Sequence, residues 1–331
     1  HPGPAQAARA GRRAMLADKR RLCYRGEYAL EDWLVPVSYQ QGQVSLAFSG
    51  KAEACGVFQD QAGPGLAPGL PDDAKLPAGL HFVGRDAAFL ELERSLRAGP
   101  PAILIQGLGG VGKTTLAKAF LQWLADTEGL ACQPLWFFFG EIQSAEYVFN
   151  RILEAFGADQ LLTVPTDQKI DILTQGLRNT PVLLVFDNFE SACGLPEAGV
   201  GPRLRDEDQA HLRRFLAGLK GGKTRVIVTS RGNEAWLQDL TRPIPLTGLH
   251  GEERAEFIQA VLLELGLERK VDRADTNFGL LMDDLAGHPL AMRAVLALLR
   301  ERTPRQSANT AQTGARCPAL SGRRHVRGGR R

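Results

Sequence analysis

The chain is 331 residues long, with an apolar fraction of 44%, a charged fraction of 23% and a formal net charge of +3 at pH 7. These fractions are those of an ordinary globular protein, long enough for one large domain or two to three smaller ones. No apolar run approaches the roughly 20 residues that cross a bilayer, and the five scattered cysteines include no C-x-x-C pair. The composition therefore excludes membrane-spanning and disulfide-stapled classes and favours a cytoplasmic protein.

The first two regions of the chain have weak patterns. Residues 1–48 combine a basic helical pattern over 5–22 with a strand-like run at 33–39 that contains an edge proline. Residues 49–80 are dense in Gly and Pro, which marks a linker. Because the chain begins with His1 rather than Met, we expect it to be a fragment of a longer protein.

Between residues 81 and 249, strand patterns alternate with helical ones. Such alternation predicts an α/β domain in which helices cover a mainly parallel sheet. The predicted strands are 102–106, 135–139, 182–187, 225–229 and 243–246. Residues 250–302 have only helical patterns, which predicts a small all-helical subdomain. Its helices are predicted near 252–265, 276–286 and 289–299.

Residues 303–331 form a basic tail. They contain seven arginines and no acid, so the rest of the chain is net negative although the whole chain is +3. The tail is rich in Gly, Ser, Thr and Ala and has almost no apolar residues to bury, which predicts disorder. The whole-chain charge is thus poor evidence for nucleic-acid binding, and neither nucleic acid nor a membrane is an expected partner.

The most informative motif follows the first predicted strand of the α/β domain. Residues 107–115 fit G-x-x-x-x-G-K-[ST], the phosphate-binding loop. Glycines let the backbone curl until N–H groups face an anion, and the following helix N-terminus adds partial positive charge. A glycine-rich turn is the alternative, but the strand before the run and the helix after it favour nucleotide binding. The predicted nucleotide-binding residues here are Gly107, Gly109, Gly110, Val111, Gly112, Lys113, Thr114 and Thr115.

Two of these residues have further predicted roles. Lys113 is expected to reach the β- and γ-phosphates, and the Thr114 hydroxyl to ligate Mg²⁺. A second Mg²⁺ ligand is expected from Asp187, which ends the apolar strand 182–186 at the sheet edge where ligands bind. An Asp that merely opens a turn is the alternative reading of Asp187.

The residue after Asp187 is unusual for an ATPase. Many related ATPases have a second acid there that polarises the attacking water, whereas this chain has Asn188, whose amide cannot accept the proton. Glu190 is the candidate substitute for the base. We therefore expect slow hydrolysis.

Arg231 follows the predicted strand 225–229. An arginine at this sheet edge could contact the γ-phosphate and sense its presence. The alternative is a surface arginine at a strand end, but its order and spacing after Asp187 favour the sensor. With Lys113, Asp187 and Glu190, it completes the predicted catalytic set.

These residues together resemble the signal-transduction ATPases with numerous domains (STAND), specifically bacterial members of the NB-ARC type. Residues 81–85 resemble the family's adenine-holding motif, which assigns nucleotide binding to Val83, Gly84 and Arg85. Residues 287–290 resemble its G-x-P-L motif, in which Pro289 packs on the adenine and His288 is interpreted as a variable position.

The resemblance implies a fold, a ligand and a role. The implied fold is a three-layer P-loop NTPase with sheet order 5-1-4-3-2, and the implied ligands are ATP or ADP, or dATP, with Mg²⁺. Such proteins are switches: ADP bridges the sheet and the helical subdomain, and ATP shifts the population toward a self-associating form. Signal transduction in bacterial defence or cell death is the implied role, with an upstream sensor and an effector that the sequence does not identify.

A second resemblance concerns the N-terminal region. Residues 29–41 look like the last strand of a caspase-like CHAT protease domain, and the helical pattern at 5–22 agrees with it. The catalytic residues of such a domain would lie before residue 1, so this chain is expected to have no protease activity.

Two other functions remain open. One is a STAND-type transcription regulator whose DNA-binding domain lies outside this chain, since no helix-turn-helix pattern is evident within it. The other is a small-molecule kinase with a phosphate loop, which the helical region with its G-x-P-L motif disfavours.

Overall fold

The computed structural model describes residues 17, 20–23, 26–29, 70–77, 82–127, 129–130, 133–194 and 201–300. The chain divides into two compact units, His1–Ala54 and Cys55–Arg331. The predicted linker up to residue 69, the CHAT-like strand beyond Ala29 and the basic tail lie outside the described residues. No helix among the described residues is both long and apolar enough to cross a membrane.

The first unit contains an antiparallel hairpin. Strand β1 is Arg20–Cys23 and strand β2 is Gly26–Ala29, with Arg20 opposite Ala29 and Cys23 opposite Gly26. The helix predicted over residues 5–22 is therefore wrong from Arg20 onward. Pairing with a neighbouring strand satisfies the backbone groups that a helix would have bonded internally, so the local pattern is overridden.

The second unit is built on a five-stranded sheet in which every neighbouring pair is parallel. The strands are β3 Ala102–Gln106, β4 Leu135–Phe138, β5 Leu183–Asp187, β6 Arg225–Ser230 and β7 Thr241–Pro245. The predicted strands agree with them within two residues at each end. The order across the sheet is β7-β3-β6-β5-β4, which confirms the predicted order 5-1-4-3-2 when these five strands are numbered 1 to 5 along the chain.

Helices cover both faces of this sheet. Side chains alternate along a strand, so Ile103 and Ile105 pack with Leu116 and Phe120 on one face, in one hydrophobic cluster. On the opposite face, Leu104 belongs to a second hydrophobic cluster, which contains Phe149 and side chains from two other helices. This is the three-layer α/β arrangement expected from the sequence. The helices of this part are α1 Asp86–Ala98, α2 Lys113–Asp126, α3 Ala145–Ala155, α4 Thr166–Arg178, α5 Glu190–Cys193 and α6 Asp206–Gly218, with short 3₁₀ turns at Asp72–Ala74, Asp159–Leu161 and Ala235–Leu237.

Residues 250–300, called here the helical segment, contain α7 Gly251–Glu264, α8 Thr276–Asp284 and α9 Pro289–Leu298. They share a hydrophobic cluster of their own, distinct from those of the sheet. The all-helical prediction for this part is confirmed.

The start of α9 is tied to the chain that leaves the sheet. The Leu249 N–H donates to the Gly287 carbonyl at 2.7 Å. Gly287 has a φ of +68°, and a Cβ there would lie 1.9 Å from the Leu249 carbonyl oxygen. Only glycine meets both requirements, so this residue determines how closely α9 approaches the sheet edge.

We expect Gly287→Ala to lower the free energy of unfolding by about 1–3 kcal/mol, because alanine is strained at positive φ. Gly279→Ala is the matched control: Gly279 lies within α8, and a Cβ there meets nothing within 4 Å. Alanine should stabilise that helix by about 0.5–1 kcal/mol. Urea denaturation followed by circular dichroism measures both, and equal effects would contradict the role given to Gly287.

Candidate nucleotide-binding site

The phosphate loop joins β3 to α2 at the carboxyl edge of the sheet. Gly110 and Gly112 have φ values of +76° and +101°, which lie in the left-handed region that favours glycine. The turn delivers the chain to the N-terminus of α2 at Lys113. A glycine-rich curl followed directly by a helix N-terminus is the geometry that binds anions.

Lys113 lies within the curl of the loop. Its Nζ donates to the carbonyl oxygens of Gly107 at 2.9 Å and Leu108 at 3.2 Å. Burial lowers the pKa of Lys113 below its usual value; the negative charges of Glu190 and Asp187 oppose this shift, while Arg231 adds to it. The ammonium group is thus positioned where a bound phosphate would meet it.

The two predicted Mg²⁺ ligands meet across the sheet edge. The Thr114 hydroxyl donates to Asp187 Oδ1 at 2.8 Å, and the Thr229 hydroxyl donates to the same oxygen at 2.6 Å. Asp187 is 4% exposed. A hydroxyl and a carboxylate oxygen are hard donors of the kind Mg²⁺ prefers, so these residues fit the ion that the sequence predicted.

Arg231 and Glu190, predicted separately, form an ion pair beside the loop. Arg231 Nε lies 3.0 Å from Glu190 Oε1, and the Glu190 side chain is 5% exposed. The second oxygen, Oε2, is buried without a hydrogen-bond partner among the described residues. The guanidinium group also lies against the loop, since a Cβ at Gly109 would be 3.0 Å from Arg231 Cζ. The structure therefore places the candidate sensor and the candidate base in direct contact.

Asn188 separates Asp187 from Glu190 and turns the chain. It has a φ of +58°, and its Nδ2 donates to the Ser191 hydroxyl at 2.8 Å. The amide is thus engaged with α5, the short helix that begins at Glu190.

Arg85 also contacts the phosphate loop. Its Nη2 donates to the Val111 carbonyl at 3.0 Å, and its backbone N–H donates to Glu253 Oε1 in α7 at 2.7 Å. Burial lowers the pKa of Arg85, and the charge of Glu253 opposes the shift. The neighbouring Gly84, with a φ of +72°, leaves room for the Glu253 side chain.

His288 contacts the phosphate loop, which the sequence analysis did not predict. Its Nε2 lies 2.8 Å from the Gly109 carbonyl oxygen, and the Leu290 N–H donates to the Gly110 carbonyl at 3.4 Å. The position before a helix-starting Pro289 indicates a cap, but nothing local indicates a partner 179 residues away.

A cavity of about 330 Å³ lies between the phosphate loop and the helical segment. Both polar and apolar groups line it, as is usual for small-molecule sites. Of the predicted residues, Gly84, Gly107, Gly109, Asp187, Glu190 and Arg231 do not line it. Its lining is Phe82, Val83, Arg85, Gly110, Val111, Gly112, Lys113, Thr114, Thr115, Leu249, Phe257, Pro289, Leu290 and Arg293.

Comparison with protein families matches the part of the chain that contains the phosphate loop, Asp187 and Arg231. Residues 102–264 match the family model of the NACHT domain. Over these residues the chain is similar to NACHT domains, which are P-loop NTPase domains of the STAND class. The resemblance implied this class, and its NB-ARC type stays a prediction.

The chain is also similar to individual proteins. A WD repeat-containing protein of Nostoc sp. (strain PCC 7120) is 23% identical over 212 residues, 60% of this chain but 16% of that protein. The chain thus spans about a sixth of that relative's length. A STAND protein with a tetratricopeptide repeat sensor from Pyrococcus horikoshii is 18% identical over 73% of this chain and 34% of its own, with a TM-score of 0.46. A Walker-type ATPase of Pyrococcus abyssi is 15% identical over 69% of this chain and 71% of its own, with a TM-score of 0.48.

We expect Arg231→Met to lower the free energy of unfolding by about 1–3 kcal/mol, because it leaves the buried Glu190 carboxylate without its ion-pair partner. Adding Glu190→Gln should recover most of the loss, since a neutral amide needs no counter-charge. A double-mutant cycle from urea denaturation measures an interaction energy of about 1–3 kcal/mol.

The control cycle uses Arg214 and Asp171, an ion pair whose side chains are 47% and 66% exposed. Water screens such a pair, so its interaction energy should be about 0.2–1 kcal/mol. The arginines of the two pairs are about equally exposed, 51% for Arg231 and 47% for Arg214, so an Arg231–Glu190 value no larger than this control would show that Glu190 is not buried in solution.

Proposed function

We propose that this protein binds ATP or ADP with Mg²⁺ and acts as a nucleotide-operated switch with slow ATP hydrolysis. The observation that supports the proposal most is the cavity between the phosphate loop and the helical segment. Its walls come from both parts of the chain, so a ligand in it would contact both.

The phosphate end of the ligand is assigned to the loop and its helix. The N–H groups of the loop and Lys113 would bind the phosphate oxygens, and Thr114 and Asp187 would hold Mg²⁺. Bound Mg²⁺ supplies positive charge that neutralises the phosphates. Thr229, which donates to the same Asp187 oxygen as Thr114, keeps that carboxylate oriented toward the loop.

The base end is assigned to the less polar part of the cavity. Val83 and Pro289, the residues that the resemblance assigned to adenine, both line it, together with Phe82, Leu249 and Phe257. Flat apolar and aromatic surfaces suit a purine ring. Arg85 links this end to the loop through the Val111 carbonyl.

The switch follows from unequal binding to two arrangements of these parts. A nucleotide that contacts both walls stabilises the closed arrangement, and only a difference in affinity between arrangements shifts the population. Arg231 lies beside Gly109, where a γ-phosphate on the loop would meet it. Release of its ion pair with Glu190 is the event that would distinguish ATP from ADP.

The wider role rests on the motif set. Residues 81–85, Asp187, Arg231 and residues 287–290 resemble bacterial NB-ARC-type switches, which supports cytoplasmic signal transduction with self-association in the ATP state. The N-terminal CHAT resemblance stays a prediction from residues 29–41.

We expect the purified protein to release bound ADP on denaturation, or to bind added ADP and ATP, and Lys113→Ala to abolish both. Lys118→Ala is the matched control: Lys118 lies in the same helix but over the Trp136 ring, 5.2 Å from its centroid, and should bind as the wild type does. Chromatography of the released nucleotide and isothermal titration calorimetry measure the two effects. A wild type that neither contains nor binds a nucleotide would refute the proposed function.

Hydrolysis should be slow, with a turnover below about 1 per second, the lower end of the range for ordinary enzymes. Asn188→Asp should raise the turnover by about tenfold or more, because it supplies a base next to Asp187. Aspartate tolerates the left-handed backbone of residue 188, so the variant should fold. Phosphate release under single-turnover conditions measures the rate, with Asp187→Asn as the inactive control.

The opposite result is also informative. A wild-type turnover typical of metabolic ATPases that Glu190→Gln abolishes would show that Glu190 is already a competent base. The ion pair with Arg231 would then open in every catalytic cycle, and it would not keep Glu190 from acting as the base.

A further inference from the structure

His288 connects the helical segment to the phosphate loop through both nitrogens of its ring. Nδ1 accepts a hydrogen bond from the Ala291 N–H at 3.3 Å, which makes His288 the N-cap of α9. Nε2 lies 2.8 Å from the Gly109 carbonyl oxygen. The residue is 7% exposed, so both contacts are made in the protein interior.

The two partners determine where the ring proton lies. A peptide N–H only donates, so Nδ1 must offer its lone pair to Ala291. A carbonyl oxygen only accepts, so Nε2 must carry the hydrogen that it donates in the hydrogen bond to Gly109. The neutral ring with its proton on Nε2 satisfies both partners at once.

The contact with Gly109 determines the orientation of one peptide unit in the loop. A peptide is planar and trans, so its carbonyl and its N–H point in opposite directions. When His288 holds the Gly109 carbonyl on its own side, the Gly110 N–H of the same unit points to the other side. That N–H belongs to the run of donors that a phosphate loop offers to its ligand.

Close packing keeps the ring in this place. A Cβ at Gly110 would lie 2.9 Å from His288 Cε1, so the loop approaches the ring as closely as a glycine permits. On the other side, the Leu249 N–H holds the Gly287 carbonyl at 2.7 Å. The residue before His288 is thus tied to the chain that leaves the sheet.

We propose that His288 is a positioning residue for the phosphate loop, which orients the Gly109–Gly110 peptide so that the Gly110 N–H can bind a phosphate oxygen. The proposal rests on the nucleotide-binding function proposed above and adds a residue to it. It also makes phosphate affinity depend on the placement of α9, since withdrawing that helix would release the peptide.

Two substitutions separate the two contacts of the ring. In His288→Asn, the side-chain oxygen takes the place of Nδ1 and can still cap α9, but no atom reaches Gly109. In His288→Gln, the side-chain N–H group lies about as far from the backbone as Nε2 and can still donate to Gly109. Glutamine is a poor N-cap, so this variant loses the other contact.

ADP affinity should separate the two variants. Both should melt below the wild type, because each loses one of the two contacts of the ring. We expect His288→Asn to bind ADP about tenfold more weakly, a loss of about 1.4 kcal/mol, and His288→Gln to recover most of the ADP affinity. Differential scanning fluorimetry and titration calorimetry with ADP measure the two properties on the full chain.

Hydrogen exchange tests the positioning without a nucleotide. In the ligand-free protein, amides in peptides covering residues 107–115 should exchange faster in His288→Asn than in the wild type, and not in His288→Gln. This measurement distinguishes the two proposals, because a protein that bound no nucleotide would refute the proposed function while the exchange result still tested the role of His288.

Two results would overturn the proposal. One is an ADP affinity and a loop exchange rate in His288→Asn equal to those of the wild type. The other is a loss of affinity that follows the melting temperature in both variants, which would reduce His288 to a helix cap.

Discussion

Five consecutive carbonyl groups of the phosphate loop, those of residues 107–111, each accept a hydrogen bond, and the arrangement of the site follows from where the donors originate. Backbone carbonyls that water does not reach must be paired, yet an N–H group that binds an anion cannot pair a carbonyl at the same time. Most of the donors are therefore side chains or lie outside the loop: Lys113 for residues 107 and 108, His288 for 109, the Leu290 N–H for 110 and Arg85 for 111. The exception is the Val111 N–H, which donates within the loop to the Leu108 carbonyl at 3.4 Å.

This pairing explains why the helical segment belongs to the site rather than merely following the sheet. Residues at the start of α9 supply donors to the middle of the loop, and Glu253 in α7 accepts from the Arg85 N–H. A change in the placement of the helical segment would therefore alter the loop's own conformation. Phosphate contacts and subdomain placement are coupled through a few hydrogen bonds, which is the physical requirement for a switch.

Charge sets a second constraint at the same edge of the sheet. Lys113, Asp187 and Glu190 are buried there, where an unpaired charge is costly, whereas Arg231 is half exposed. The Arg231–Glu190 pair resolves this cost in the structure, but it also engages the two groups that the sequence assigned to sensing and to base catalysis. An incoming phosphate would compete with Glu190 for Arg231, so ligand charge and protein charge are linked.

The sequence by itself determined the parallel sheet, the phosphate loop and the place of Asp187, because strand periodicity, glycine spacing and the carboxyl end of a buried strand are local properties. It also predicted all three helices of the helical segment. It failed at Arg20–Leu22, where pairing with β2 replaced a helical pattern. Only the tertiary structure decided that His288 meets Gly109, 179 residues away, that Glu190 pairs with Arg231, and that Arg85 bonds to the loop. These contacts form because sheet order and helix packing bring segments together that are far apart in the sequence. No local pattern in the sequence shows which distant residues will meet.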